Sequence, residues 1–142
     1  MLFDKNKDKL LLDLQRKLIN GEYETSEYYV FKIYEPKERE IFKLPYYPDR
    51  IVHHAIMNIM EPIWASAFVK GTYSCIRKRG IHKALKDVKF ALKDEINTQY
   101  CLKLDIRKFY PSIDHDILKT IIRKKIKDKR LLSLLDEIIE SA

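Results

Sequence analysis

The chain has 142 residues, of which 46% are hydrophobic and 35% charged, with a formal net charge of +7. That balance fits one compact unit with a core and a heavily charged surface, not a disordered chain. Only three glycines are present, which leaves almost no room for a Gly-rich phosphate loop or a dinucleotide fingerprint; no apolar run approaches the roughly 20 residues that span a bilayer.

The start, MLFDKNKDK, lacks the apolar centre of a signal peptide. Cys75 and Cys101 form no CxxC pair, and His53, His54, His82 and His115 show no zinc spacing with them. Reduced thiols in a cytoplasmic protein are the simplest reading. The positive charge suits a polyanion, chiefly nucleic acid, or reflects a lysine-rich composition and nothing more; composition alone does not choose.

In chain order, residues 4–19 place Leu10, Leu11, Leu14 and Leu18 at helical spacing, with Asn20-Gly21 as the stop. Residues 28–35, YYVFKIYE, and 40–46, EIFKLPY, read as strands joined by a charged turn from Pro36 to Arg39, hence a hairpin. Pro48 suits the first turn of a helix that carries Ile51, Val52, Ala55, Ile56, Ile59 and Met60 on one face. Pro62 is expected to start a new short segment from Trp64 to Phe68. An irregular basic stretch from Gly71 to Gly80 leads to a helix over 82–96 that is expected to bury Leu85, Val88 and Leu92. Tyr100 to Ile106 reads as a strand, with Leu102, Leu104 and Ile106 on one face and Cys101, Lys103 and Asp105 on the other. Asp114 is placed to cap a helix with Ile117, Leu118, Ile121 and Ile122 as its apolar stripe, and a last helix begins near Asp128. Ser141-Ala142 carries no helix stop, so the natural chain is expected to continue.

The segment LKLDIRKFYPSID, residues 102–114, carries the chemistry. If helices cover the leucine face of the strand, Asp105 is left on the open face near the strand's end, where a carboxylate can hold a hard cation such as Mg²⁺. Arg107 and Lys108 follow at once and attract phosphate. Taken alone, such an aspartate is more often a strand-end residue paired with a nearby lysine. His53 and His54 are adjacent on a helix and point to different sides, which disfavours a joint metal site. The run Lys124, Lys125, Lys127, Lys129 and Arg130 reads as a solvated helix end and turn.

LKLDIRKFYPSIDHDIL resembles the first palm motif of reverse transcriptases. IFKLPYYPDRIVHHAIMNIMEPIW resembles their fingers motif, with its proline, Asp-Arg pair, amphipathic helix and Glu-Pro. FVKGTYSCIRKRGIHKALKDV resembles the block between the two. The blocks stand in the family's order, so the likeness runs from about Tyr28 to the end. Within the family the likeness is to bacterial enzymes of the diversity-generating retroelement, retron and group II intron types, and Tyr110-Pro111-Ser112-Ile113 leans toward the first two.

The resemblance implies an α+β fold: mostly helical fingers with a β-hairpin over 1–99, then the first strand and helices of a polymerase palm over 100–142. It implies two-metal phosphoryl transfer from a deoxynucleoside triphosphate to a DNA or RNA primer on an RNA template, with Mg²⁺ or Mn²⁺ as cofactor. Asp105 matches the first metal-binding aspartate, and Ile106 the residue whose main-chain carbonyl helps hold a metal. Tyr110 matches the steric gate that selects deoxyribose. Lys37, Arg39 and Lys43 resemble the segment that grips the triphosphate. Arg50 is a candidate for template contact or for a surface pair with Asp49 or Glu61. Arg77, Lys78 and Arg79, beside Tyr73, suit a single-stranded template. For each of these basic residues a solvated surface role is the bland alternative. The family's Asp-Asp turn and thumb have no counterpart in these residues. The isolated chain is therefore expected to be inactive and to self-associate through an open palm surface. The competing expectation is a non-catalytic nucleic-acid-binding or scaffolding protein derived from the fingers.

Overall fold

The computed structural model describes residues 6–141. Helices and one two-stranded antiparallel sheet make up its regular structure. Helix α1 spans Lys7–Asn20, strands β1 and β2 span Tyr29–Tyr34 and Glu38–Lys43, and helix α2 spans Ile51–Ala67. Helix α3 spans Ile81–Ala91, α4 His115–Lys125 and α5 Lys129–Glu140. The fold is thus α+β. Contacts divide it into two compact units, residues 1–58 with 113–142 and residues 59–112.

In the first unit the helical patterns act as their spacing requires. Residues 4 and 5 of the expected first helix lie outside the described residues. Leu14 of α1 is buried, with Leu10, Leu11 and Leu18 half-buried. Gly21 ends the helix at φ 73, a left-handed conformation that glycine enters without the Cβ penalty. The hairpin pairs Tyr29 with Lys43 and Tyr34 with Glu38, so its turn is Glu35–Lys37, tighter than expected. Asp114 and Asp128 cap α4 and α5 by accepting from the amides of Ile117, at 2.9 Å, and Leu131, at 2.8 Å. Helices α4 and α5 pack on one another. Tyr23, Leu44, Val52, Ile56, Ile122, Ile126 and Leu135 are buried in this unit; each such side chain contributes about 1.5–3 kcal/mol through removal from water. The α2 stripe is narrower than the sequence suggests: Val52, Ile56 and Met60 are buried, whereas Ala55 and Ile59 are exposed.

Several expectations are corrected. Pro48 lies in a separate turn, Tyr46–Arg50, in which Tyr47 is extended, so the α-helix starts after it at Ile51. Helix α2 runs unbroken through Pro62. Proline there removes one backbone hydrogen bond, and the remaining turns hold the helix. Helix α3 ends at Ala91, and Leu85, Val88 and Leu92 are exposed instead of buried. Of the α4 stripe, Ile117 and Ile121 are exposed. The palm strand expected over Tyr100 to Ile106 is not formed: these residues have no regular structure and all are exposed. A strand is stabilised by a ladder to a neighbour, and the only sheet among the described residues is the hairpin.

Candidate functional site

The hairpin is the simplest part of the candidate site. Side chains alternate along its strands, so Arg39 and Lys43 share a face with their partners Ile33 and Tyr29. That face also carries the half-buried Phe31 and Ile41. The other face holds the Lys32–Glu38 ion pair at 2.5 Å. Lys37 sits in the turn, where its carbonyl accepts from the Glu35 amide at 3.3 Å. Lys37, Arg39 and Lys43 are all exposed, and none forms an ion pair within the protein among the described residues.

Arg50 is exposed at the end of the turn before α2. Its neighbour Asp49 is no partner for it, because Asp49 is 0% exposed and turned inward. Asp49 Oδ1 accepts from the Tyr23 hydroxyl at 2.8 Å and from the Ser26 amide at 3.1 Å. Burial pushes the Asp49 carboxyl up, but the bonds from Ser26 and Tyr23 outweigh it and leave the group below its ordinary range. Burial, then the bond to Asp49, raises the Tyr23 phenol. Glu137 of α5 extends the latch by accepting from the Thr25 amide and hydroxyl at 2.7 and 2.8 Å. These bonds tie the 21–28 segment to the turn before α2 and to α5. The Asp-Arg pair gave no hint that its aspartate is structural.

Arg77 and Lys78 are exposed in the loop before α3, while Arg79 is half-buried. The loop is shaped by left-handed residues, Cys75 at φ 54 and Lys78 at φ 63, and the Arg79 amide closes a turn onto the Ile76 carbonyl at 3.0 Å. Tyr73 donates to Asp87 Oδ2 at 2.8 Å, and Lys83 meets Asp87 Oδ1 at 2.5 Å. Lys83, then Tyr73, holds the Asp87 carboxyl below its usual range; the bond to Asp87 raises the Tyr73 phenol. The Lys83–Asp87 spacing of four on a helix was legible in sequence, whereas Tyr73 as its third member was not.

Asp105 and Ile106 lie exposed in the unpaired segment. Lys108 is left-handed at φ 51, and a short helical turn, Tyr110–Ser112, follows. Ser112 secures it by donating from its amide and hydroxyl to the Phe109 carbonyl at 3.1 and 2.8 Å. The Tyr110 ring meets Phe109 edge-on at 5.4 Å and is 83% exposed. Asp105, Ile106, Tyr110 and Arg77–Arg79 thus share the 59–112 unit, whereas Lys37, Arg39, Lys43 and Arg50 belong to the other. Among the described residues no group of three His, Cys, Asp or Glu side chains could hold a metal. Asp105 offers one carboxylate, and the residues present do not by themselves fit a two-metal centre. His53 Nε2 is buried without a hydrogen-bond partner, beside an exposed His54, so the two histidines form no shared site.

No protein-family model matches the chain. Individual proteins do. It is 29% identical over 133 residues to Protein YkfC of Escherichia coli, covering 90% of this chain and 34% of that protein. It is 22% identical over 122 residues to nuclear intron maturase 1, mitochondrial, of Arabidopsis thaliana, covering 86% of this chain and 16% of the maturase. It is 26% identical over 98 residues to the group II intron-encoded protein LtrA of Lactococcus lactis, covering 69% and 16%. The chain is a distant relative of intron maturases. This supports a reverse-transcriptase-like origin. The chain spans about a third or less of the length of these relatives. No helix among the described residues is long and apolar enough to cross a membrane.

Proposed function

We propose that the chain is the fingers, residues 1–99, and the start of the palm, residues 100–142, of a cytoplasmic RNA-directed DNA polymerase. The observation that carries this reading is the LKLDIRKFYPSID segment, in a chain whose distant relatives are intron maturases. The partners in this reading are an RNA template, a DNA or RNA primer and deoxynucleoside triphosphates. The intron-maturase relatives support the intron group more than a retron or diversity-generating type, which rests on the residues around Pro111 alone.

In this reading Asp105 and the Ile106 carbonyl would be the ligands that these residues offer to a Mg²⁺ or Mn²⁺ centre, and further carboxylates would be needed to complete it. Tyr110 stands under the sugar of the incoming nucleotide. Lys37, Arg39 and Lys43 neutralise its triphosphate, for which exposed, unpaired cations are suited. Arg50 and Arg77–Arg79 follow the template backbone.

The test is a pair of substitutions in a protein that carries these residues within the longer reading frame. Asp105→Ala is expected to abolish primer extension while RNA affinity, read by fluorescence anisotropy, changes less than about threefold. Tyr110→Ala is expected to raise ribonucleotide incorporation. Unchanged extension in the first variant would refute the metal role, and unchanged sugar discrimination in the second would remove the gate. A non-catalytic nucleic-acid-binding or scaffolding protein is the second reading, favoured by the lone carboxylate at Asp105; it predicts RNA binding with no extension by any form.

A further inference from the structure

The 59–112 unit has a half-open surface pocket of about 340 Å³ lined by Lys70, Gly71, Tyr73, Arg79, Lys83 and Asp87. Its charges do not balance. Lys70, Arg79 and Lys83 face a single carboxylate, Asp87, leaving two positive charges in excess. The carboxylate is also already used: one oxygen takes Tyr73 and the other Lys83. Arg79 has no share in it, and its Nη1 is buried with no hydrogen-bond partner in the protein. A guanidinium nitrogen is a donor only, and a buried donor without an acceptor is costly unless something fills the space. An acceptor reaching this guanidinium would satisfy it, and the two surplus positive charges of the lining favour an anion.

The geometry points to a phosphate-binding subsite in this pocket, in which Arg79 supplies the forked contact and Lys70 and Lys83 add charge. A phosphate group matches on three counts. Its charge offsets the excess of the lining. Its oxygens accept from the guanidinium in pairs. A pocket of this size admits one such group together with part of what it is attached to. Tyr73 and Asp87 then act as positioning residues: the carboxylate fixes Lys83, and the ring closes one side. Lys70 and Lys83 widen the basic loop of Arg77–Arg79 into a pocket with a definite centre at Arg79. The phosphate belongs either to an RNA backbone or to a free phosphate or nucleotide. Only the first source rests on the proposed function; the site itself does not.

The test uses the whole chain, with two probes and two variants. Lys70→Gln changes an exposed residue with no bond to the rest of the fold among the described residues, so it keeps the question answerable if Arg79→Gln fails to fold. The first probe is inorganic phosphate, followed by amide chemical shifts. The second is a fluorescein-labelled single-stranded RNA, followed by anisotropy across a salt series. Phosphate is expected to shift the amides of residues 70–87 selectively, and both variants are expected to reduce that response. With a backbone phosphate in the site, Lys70→Gln weakens RNA binding about threefold and lowers the salt slope by about one, and Arg79→Gln weakens binding about tenfold or more. If phosphate shifts these amides but RNA affinity is unchanged in both variants, the site stands with a free phosphate or nucleotide as its source. Phosphate shifts without any RNA binding leave the site standing and overturn the RNA-binding reading. RNA binding that neither variant alters, with no localised phosphate shifts, overturns the site and leaves the RNA-binding reading intact.

Discussion

The two units of this protein treat similar sequence patterns in opposite ways. In residues 1–58 and 113–142, apolar residues at helical spacing become a core around Leu14, Val52, Ile56, Ile122 and Leu135. In residues 59–112, equally clear patterns stay in water: Leu102 is 81% exposed, Leu104 80% and Ile106 66%, and Leu85 and Val88 of α3, with Leu92 just after it, are also exposed. The first unit contains both sides of its contacts, such as the α4–α5 pair and the Thr25–Glu137 bonds. The second has the Tyr73–Asp87–Lys83 group but no described surface that covers these apolar residues. A pattern states which face wants burial; it does not supply the surface that buries it.

That contrast can be broken by substitution. Leu135→Ala in the buried core is expected to cost about 2–5 kcal/mol in chemical denaturation, because the cavity left behind cannot fully collapse. Asp49→Asn is expected to cost about 1–3 kcal/mol, since it disturbs a buried acceptor of two hydrogen bonds. The same group gives a pH signature. Its folded carboxyl is held below the ordinary value, so its contribution is present above the unfolded value of about 3.9 and is lost as pH falls through the lower folded value. Asp49→Asn should flatten that acid limb; an unchanged limb would show that another carboxylate is responsible. Asp114→Ala removes the α4 cap and is expected to cost about 1 kcal/mol. Leu104→Ala, in the unpaired segment, is expected to fall within about 0.5 kcal/mol of the parent. A larger loss there would mean that this segment is packed in solution. The same open face is expected to drive association, so light scattering should report an apparent mass that rises with concentration, and Leu102→Lys with Leu104→Lys should lower it.

The sequence made the local features legible and the distant partners invisible. The cap at Asp114, the helix start near Asp128, the stop at Gly21 and the hairpin all depend on neighbours within a few residues, and the structure has them. The strand over Tyr100–Ile106 depends on a ladder to another segment, which spacing cannot reveal. Asp49 misled for a related reason. Its apparent partner was adjacent Arg50, while its actual partners, Tyr23 and Ser26, lie more than twenty residues away. In the candidate site, the exposed positions of Lys37, Arg39, Arg77 and Lys78 follow from a charged turn and a charged loop. The half-buried place of Arg79 beside the Tyr73–Asp87–Lys83 group does not, because it depends on the path of a loop that holds left-handed residues at Cys75 and Lys78.

The proposed function makes Asp105 one ligand of a polymerase metal site that these residues do not complete. Primer extension on an RNA template with Mg²⁺ and deoxynucleotides tests it most directly. The 142-residue chain and a longer protein containing it would be compared side by side, each with and without Asp105→Ala. The account predicts extension by the longer protein only, abolished by Asp105→Ala. Extension by the 142-residue chain alone, or full extension by the longer protein carrying Asp105→Ala, would contradict it.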